Sequence, residues 1–313
     1  MFVPEQDYEE TRSLNQDLTF SYTESVFSKL HLDWGVPQMK TLGILSGEGI
    51  YTCLGLLLSD QCPHIIKAAA FSGTDQSAFQ DRREFSGSLL KQVDDAYAFL
   101  DMRNEKSAEF EGLHRFDRQA YPAEALREAL LNAVIHRDYA YSAGTLISCY
   151  ADRIEIVSVG GLVQGFSMKD ILMGVSACRN PKLANIFYRL DMVEAYGTGL
   201  RKILNAYRGC PAEQLFQTTE KVFKVTLPRI TGAESFREPV SSFRYDYART
   251  NEDKVLSLFS TRDLISRLDA EQITGLSSAS TVRLLRRLVE MKLLGITGSG
   301  KNTRYYRRYP DHD

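Results

Sequence analysis

The most distinctive stretch of the sequence is residues 127–139, which read REALLNAVIHRDY. Its apolar residues recur every three or four positions, as on the buried face of an α-helix, and this spacing predicts a helix over residues 122–136. The expected core stripe consists of Leu126, Ala129, Leu130 and Ala133. Glu128, Asn132 and His136 follow one another in steps of four, so they share a different face of the same helix.

Two residues on that second face suit the chemistry of a magnesium-bound phosphate. Mg²⁺ prefers oxygen ligands, and a carboxylate can orient or deprotonate a water molecule. Glu128 supplies a carboxylate and Asn132 supplies an amide one helical turn away. The alternative, that both residues lie on a solvated helix face, stays open at this point.

The segments around this helix alternate between strand-like and helix-like patterns. Upstream, the sequence predicts helices near residues 51–58 and 86–102, with a strand at 65–71 between them. Downstream it predicts strands at 145–150, 154–159 and 222–227, and helices at 181–190 and 199–207. Such alternation is typical of an α/β (α+β) layer sandwich.

The length of 313 residues favours two domains. Residues 231–250 are rich in serine and charge and have no sustained period, which predicts a linker. We therefore expect an N-terminal arm at 1–33, an α/β domain at 34–230 and a second domain at 251–313.

The composition excludes several classes of protein. With 43% hydrophobic and 25% charged residues, the chain resembles ordinary globular proteins. Its acidic start lacks the pattern of a secretory signal, and its longest apolar stretch, residues 53–58, is too short to span a bilayer. The five cysteines contain no C-x-x-C pair, which argues against a disulfide framework or a zinc site. We expect a cytoplasmic protein with no membrane partner.

The charge is distributed unevenly along the chain. The net charge is −2, but residues 282–308 contain eight basic residues and one acidic residue, a local charge of +7. Such a segment is where a polyanion would bind.

This basic segment belongs to a pattern of three helices followed by a hairpin. We predict helices at residues 251–260, 271–275 and 281–293, the last capped by Ser278 or Ser280. Its buried stripe is expected to contain Leu284, Leu285, Leu288 and Met291. A glycine-rich turn between residues 295–297 and 303–308 predicts the hairpin, and the whole pattern resembles a C-terminal winged helix-turn-helix.

The exposed cations of this segment suggest double-stranded DNA as the partner. A helix in the major groove needs donors for phosphates and base edges, and a wing needs cations at its tip. The candidate DNA-binding residues are Arg283, Arg286 and Arg287 on the helix and Lys301 and Arg304 on the wing. A winged helix that binds protein and has a solvated basic face is the open alternative.

Four segments together resemble a known family. They are REALLNAVIHRDY, DRIEIVSVGGL, RNPKLANIFYRL and VEAYGTGL, spread over residues 127–200. The chain resembles the RecG-like predicted transcriptional regulators over about residues 17–230. The central domain of that family is similar to the GHKL ATPase fold of DNA gyrase B, heat-shock chaperones, histidine kinases and mismatch-repair proteins. An AlbA-type domain usually precedes this part in the family, so we expect a fragment or a shortened member.

The resemblance implies ATP and Mg²⁺ as cofactors and gives each matching residue a role. Glu128 matches the catalytic general base, and Asn132 matches the amide that binds Mg²⁺ and cofactor. Glycines allow backbone amides to approach phosphates closely because no Cβ intervenes. The matching glycines are Gly160 and Gly161 in the first motif and Gly197 and Gly199 in the second. The alternative is that these are turn and cap glycines only.

The sequence departs from the family pattern at one point. An aspartate that holds adenine precedes the first glycines in catalytic members, whereas here Ser158 and Val159 precede Gly160. A hydroxyl accepts a hydrogen bond less strongly than a carboxylate does, which weakens the prediction of adenine specificity and of hydrolysis.

Two other enzyme classes are excluded by missing residues. The run HRD at residues 136–138 resembles the kinase catalytic loop, but Ala143 stands where an asparagine is needed and no D-F-G follows. We interpret His136 and Arg137 as cations at a helix end or at a pocket rim. No G-x-x-x-x-G-K-[ST] phosphate loop occurs, so nothing in the residues supports a helicase motor.

The sequence therefore predicts a DNA-binding transcriptional regulator, expected to be a homodimer, whose α/β domain senses a nucleotide or mediates dimerisation. Two alternatives stay open. One is an active Mg²⁺-dependent ATPase acting on DNA or protein partners. The other is a pseudo-ATPase scaffold that binds no nucleotide.

Overall fold

A computed structural model of the protein describes residues 8–111, 114–175, 177–194, 197–230, 251–260, 262, 264–291, 293–298 and 303–307. The chain divides into two compact units, Met1–Pro239 and Val240–Asp313, each with a hydrophobic core of its own. Within these residues, none of the helices has the length and apolar character needed to cross a bilayer.

The first unit contains helices and strands in alternation, after a short 3-10 helix at Tyr8–Glu10. The helices are α1 (Ser21–Lys29), α2 (Val36–Leu42), α3 (Cys53–Leu58), α4 (Leu89–Arg103), α5 (Ala123–Ile135), α6 (Met168–Leu172), α7 (Pro181–Arg189), α8 (Gly199–Ala206) and α9 (Ala212–Leu215). The strands are β1 (Ile66–Phe71), β2 (Phe79–Phe85), β3 (Lys106–Glu111), β4 (His114–Gln119), β5 (Thr145–Cys149), β6 (Arg153–Val159), β7 (Phe216–Thr218) and β8 (Val222–Pro228). The predicted α/β class is confirmed.

Six of these strands form one mixed sheet in the order β2-β1-β5-β6-β8-β7, and β3 and β4 form a separate hairpin. Strands β1 and β5 run parallel, and every other neighbouring pair in the six-stranded sheet runs antiparallel. Burial alternates along β6, where Ile154, Ile156 and Ser158 all point into the unit. Because side chains alternate between the faces of a strand, Ser158 lies on the face that packs against the helices.

Helix α5 is the central helix of this unit. The four residues of its predicted core stripe are all at most 4% exposed, as expected from their spacing. Ala125, Leu131, Val134 and Ile135 are buried as well, so most of the helix circumference contacts protein. Glu128 itself is 7% exposed, so the alternative of a solvated helix face does not describe it.

The segment that we expected to be an arm contributes to this core from Tyr8 onward. Leu18, Phe20 and Phe27 are buried in the same hydrophobic cluster as the residues of α5. Their apolar side chains are too widely spaced to give a periodic signal in the sequence, which is why the segment reads as polar and irregular.

Glu9 joins this N-terminal segment to the start of α7. Its carboxylate is 1% exposed and accepts hydrogen bonds from the backbone N–H groups of Lys182 (3.0 Å) and Leu183 (2.6 Å). The first N–H groups of a helix have no partner within the helix, and its N-terminus favours negative charge. The N-cap residue, Asn180, makes no side-chain cap, because its amide donates to the carbonyls of Ile135 and Arg137 instead. Glu9 therefore caps α7 from a distant part of the chain.

Replacing Glu9 by glutamine is expected to lower the free energy of unfolding of the first unit by about 1–2 kcal/mol, because the charge at the helix N-terminus is lost and one backbone donor loses its acceptor. Urea unfolding followed by tryptophan fluorescence measures this. Trp34 is the single tryptophan in the sequence and its ring lies 4.8 Å from that of Phe27, so it reports on this unit alone.

The matched control is Glu10→Gln. Glu10 is more than half exposed and forms an ion pair with Lys182 at 2.7 Å, a type of pair that contributes little to stability. We expect a change within about 0.5 kcal/mol for this variant. Equal losses for the two variants would mean that Glu9 does not act as a helix cap.

The described residues of the second unit form three helices and one hairpin. They are α10 (Asn251–Ser257), a 3-10 turn (Leu258–Ser260), α11 (Arg267–Thr274), α12 (Ser278–Glu290), β9 (Leu294–Thr297) and β10 (Arg304–Arg307). Strands β9 and β10 pair antiparallel, and Ile265 exchanges two backbone hydrogen bonds of 2.9 Å with Tyr305. The core of this unit consists of Val255, Ile265, Ala270, Leu284, Leu285, Leu288 and Leu294.

The structure corrects three details predicted for these helices. Helix α11 begins at Arg267 rather than at residue 271, because Ser266 and Asp269 form a reciprocal capping box one turn earlier. Helix α12 is capped by Ser277, which accepts from the N–H of Ser280, and not by Ser278 or Ser280. Met291 is 57% exposed rather than buried, because α12 ends at the residue before it.

Candidate functional site

An open cavity of about 480 Å³ lies in the first unit, beside α5, α7, α8 and the end of β6. All six residues proposed for the nucleotide site line it, namely Glu128, Asn132, Gly160, Gly161, Gly197 and Gly199. Apolar side chains line much of the remaining wall, including Leu131, Ile135, Leu162, Val163, Ile171 and Phe223. A concave apolar site with a few converging polar groups is the usual form of a small-molecule site.

The carboxylate of Glu128 is held by two cations. Its Oε1 accepts from a guanidinium nitrogen of Arg127 at 2.8 Å and lies 3.5 Å from Nζ of Lys202. Arg127 also donates to the backbone carbonyl of Met192, which fixes the guanidinium in place. Glu128 is therefore an oriented, charge-compensated carboxylate at the wall of the cavity.

Asn132 lies one turn after Glu128. Its Nδ2 donates to the backbone carbonyl of Glu128 at 2.8 Å. This bond uses the amide nitrogen within the helix and leaves the amide oxygen as the atom available to a ligand in the cavity. A carbonyl oxygen is a suitable donor to Mg²⁺.

Gly199 contacts both of these side chains. A Cβ atom at this position would lie 2.8 Å from Oε2 of Glu128 and 2.8 Å from Nδ2 of Asn132. Any other residue would therefore displace the carboxylate or the amide. Gly197, two residues earlier, has a φ of +62°, a left-handed conformation that glycine adopts without strain. The second glycine motif thus brings the start of α8 against α5.

Both positions of the first motif also require glycine, because backbone atoms lie too close to leave room for a Cβ. Gly160 has a φ of +112°, and a Cβ there would lie 2.9 Å from the backbone nitrogen of Asp138. A Cβ on Gly161 would lie 2.2 Å from the carbonyl oxygen of Thr219 and 2.5 Å from that of Glu220. These contacts support the turn interpretation of Gly160 and Gly161, although both residues line the cavity.

Ser158, His136 and Arg179 lie near this first motif. Ser158 is 3% exposed and lines the cavity, where it places a neutral hydroxyl. Burial and the nearby guanidinium of Arg179 lower the pKa of His136 to about 4, so its imidazole is neutral at physiological pH. Arg179 contacts Asp138 and the carbonyl of Gly161, both at 3.4 Å.

His136 is the C-cap residue of α5 and Arg137 follows it, as predicted for a helix end, but their role as cations there is corrected. His136 lines the cavity but carries no charge, as its pKa shows. Arg137 is 2% exposed and donates to the carbonyls of Tyr141 (3.2 Å) and Ala143 (2.5 Å). It thus fixes the loop after α5 rather than the rim of the cavity.

Lys202 and Glu194 also belong to this site, although the sequence did not indicate them. Nζ of Lys202 lies 2.8 Å from Oε1 of Glu194, and Thr198 donates to the other carboxylate oxygen of Glu194 at 3.1 Å. Lys202 follows Gly199 by one helical turn, but no pattern in the sequence indicates which carboxylates it meets. Only the packing of α8 on α5 brings these groups together.

The oxygen donors of the cavity suit a Mg²⁺ ion that binds together with a phosphate ligand. They suit a metal ion bound by protein groups alone less well. Mg²⁺ keeps several waters and binds through one or two protein groups plus substrate phosphates. The oxygen of Asn132 is one such group, and within the described part of the chain no cluster of three His, Cys, Asp or Glu residues could hold a metal.

The candidate DNA-binding residues lie in the second unit. Arg283, Arg286 and Arg287 are exposed on α12, and Arg304 is exposed on β10. Lys301 lies outside the described residues. Leu284, Leu285 and Leu288 of α12 are buried, so the arginines occupy the opposite face of the helix, as their spacing predicts.

Part of the first unit is similar to an ATPase-like domain family. Residues 143–227 match a family model described as "Putative ATP-dependent DNA helicase recG C-terminal". Both glycine motifs fall within the match, whereas Glu128 and Asn132 precede it. The RecG-like, ATPase-like part of the predicted resemblance is thus supported.

One solved structure has a similar fold over most of the chain. It is the crystal structure of the DIP2311 protein from Corynebacterium diphtheriae, with a TM-score of 0.63 and 20% sequence identity. The alignment covers 96% of this chain and 64% of that one, so the chain spans less than two thirds of the similar protein. No curated protein matches the sequence.

Proposed function

We propose that the protein is a DNA-binding regulator whose first unit binds ATP with Mg²⁺ and whose second unit is a winged helix. The observation that carries the first part is the convergence of Glu128, Asn132 and both glycine motifs on one cavity. They belong to three separate segments of the sequence, and a purely structural role for each segment does not require the three to share a cavity.

In this proposal, each residue of the cavity acts on the nucleotide in its own way. The Asn132 oxygen binds the Mg²⁺ that accompanies the phosphates, and the backbone at Gly197 and Gly199 approaches the phosphates closely. Bound Mg²⁺ neutralises phosphate charge. The apolar wall would hold the base, and the hydroxyl of Ser158 would be its polar partner, with weaker selection for adenine than a carboxylate would give.

The proposal for the second unit rests on the order of its elements and on its charge. Three helices followed by a hairpin have the arrangement of a winged helix, and the backbone pairing of Ile265 with Tyr305 ties the segment before α11 to the hairpin. Arg283, Arg286 and Arg287 extend from the exposed face of α12, where major-groove contacts are expected. A homodimer would place two such helices on a two-fold DNA site, and a cytoplasmic location fits this role.

Isothermal titration of MgATP into the full chain tests the nucleotide proposal. We expect saturable binding by the wild type and at least tenfold weaker binding by Asn132→Ala, because the variant loses the oxygen donor to Mg²⁺. Saturable binding that Asn132→Ala leaves unchanged would place the nucleotide elsewhere. Lack of binding by the wild type would favour the pseudo-ATPase scaffold.

An active Mg²⁺-dependent ATPase is the second candidate function, and the burial and orientation of Glu128 favour it. If Glu128 is the general base, Glu128→Gln should lower the rate of phosphate release about a hundredfold or more while MgATP still binds. Equal rates for the two proteins would exclude this role for Glu128. If neither protein turns over ATP, the domain only binds nucleotide.

A further inference from the structure

A lysine behind the cavity wall contacts three carboxylates at once. Nζ of Lys202 lies 2.8 Å from Glu194, 3.5 Å from Glu128 and 3.8 Å from Glu124. Glu128 and Glu194 line the cavity and Glu124 does not, although the side chains of Glu194 and Glu124 are exposed to the same extent, 57% and 58%. Two of the three carboxylates that the ammonium contacts therefore face the cavity.

The charge of this wall depends on Lys202. Glu128 lies beside Gly199, where the proposed function places phosphates, and Glu194 accepts a hydrogen bond from Thr198, the residue before Gly199. Burial alone would lower the pKa of Lys202, but its hydrogen bond to Glu194 and the nearby carboxylates raise it, so the ammonium stays charged. The same hydrogen bond lowers the pKa of Glu194. Without Lys202, Arg127 is the one cation that the described residues place close to these two carboxylates, so an approaching polyphosphate would meet a more negative wall.

We propose that Lys202 is a phosphate-positioning residue, whose ammonium offsets Glu128 and Glu194 and so lets this wall accept a polyphosphate ligand. The inference rests on the proposed nucleotide-binding function and assigns a role to a residue outside both glycine motifs. Lys202 does not itself line the cavity, so it acts through the two carboxylates that do.

The competing explanation is that Lys202 only attaches α8 to α5. That role would weaken every ligand of the cavity equally, because the cavity as a whole would be distorted. An electrostatic role instead gives a loss that grows with the number of phosphates, because each added charge interacts with the missing ammonium.

The test compares adenosine, ADP, ATP and inorganic triphosphate by calorimetry on the full chain with Mg²⁺. For Lys202→Met we expect unchanged affinity for adenosine, a smaller loss for ADP and about a ten- to hundredfold loss for ATP. Lys202→Arg keeps the positive charge and should restore most of the affinity. Glu194→Gln removes one carboxylate from the wall and should tighten ATP binding.

Lys67→Met is the matched control. Lys67 also forms an ion pair with a glutamate, Glu84 at 3.2 Å, but lies on β1 with an exposed side chain and does not line the cavity. The variant loses the same net charge and should bind ATP as the wild type does. Unfolding followed by Trp34 fluorescence verifies that Lys202→Met is folded.

The possible results separate the two proposals. If ATP binds the wild type and Lys202→Met equally well, or if adenosine is weakened as much as ATP, the role of Lys202 is refuted and nucleotide binding stands. If triphosphate binds in a Lys202-dependent manner and the adenosine moiety adds nothing, the role of Lys202 holds and adenine recognition fails. If neither ATP nor triphosphate binds the wild type, both proposals fail.

Discussion

Replacing Arg286 and Arg287 together by alanine is expected to weaken binding of the full chain to duplex DNA about a hundredfold at moderate salt. Both arginines are exposed on α12, on the face opposite its buried leucines. Each phosphate contact releases counterions, so the loss of two should reduce the slope of log K against log salt by about 2. Fluorescence anisotropy of a labelled duplex over a series of salt concentrations measures both quantities.

The first unit provides a matched pair of adjacent arginines for control. Arg82 and Arg83 lie on the edge strand β2, and their double replacement by alanine lowers the net charge by the same amount. We expect this variant to retain the affinity and the salt slope of the wild type within about twofold. If both double variants behave alike, or if the variant in α12 binds as the wild type does, α12 does not form the DNA interface.

The second large effect is expected on stability, from Gly161→Ala. The added Cβ would lie 2.2 Å from the carbonyl oxygen of Thr219 and 2.5 Å from that of Glu220, and backbone atoms cannot rotate away as side chains do. We expect a loss of about 3 kcal/mol or more in the free energy of unfolding of the first unit. Urea unfolding followed by Trp34 fluorescence measures the loss.

Gly73→Ala is the control for this substitution. Nothing lies within 4 Å of a Cβ at Gly73, and its backbone is not in the left-handed region. The change in stability should therefore stay within about 0.5 kcal/mol. If Gly161→Ala is as stable as this control, the close approach between Gly161 and the turn before β8 is absent in solution.

The elements that the sequence predicted well are those with a regular apolar period. Helix α5 and strand β6 have clear spacings of this kind, and their observed bounds differ from the predicted ones by one residue. Strand β2 was missed because its sequence, FQDRREF, is largely exposed and charged, as suits an edge strand, and so has no alternation of apolar residues. The start of α11 was missed because Leu268 is apolar but exposed, so the apolar residues of this segment do not follow the spacing of one buried helix face.

The candidate site was predictable only as a set of residue types. The spacing of Glu128 and Asn132 indicated a shared helix face, and the resemblance suggested that the glycines lie near them. Neither could show that Gly199 leaves no room for a Cβ beside Glu128, or that Lys202 reaches Glu194. These contacts depend on the distance between α5 and α8, which is set by packing across the whole unit.

The central claim is that the cavity of the first unit binds a nucleotide. Its most direct test is urea unfolding of the full chain with and without MgATP, followed by the fluorescence of Trp34, which reports on that unit alone. At a free ligand concentration of about 100 times the wild-type Kd, the wild type should gain about 2.7 kcal/mol of stability, and Asn132→Ala, with at least tenfold weaker binding, should gain about 1.4 kcal/mol or less. An unfolding transition of the wild type that millimolar MgATP does not shift would contradict the claim.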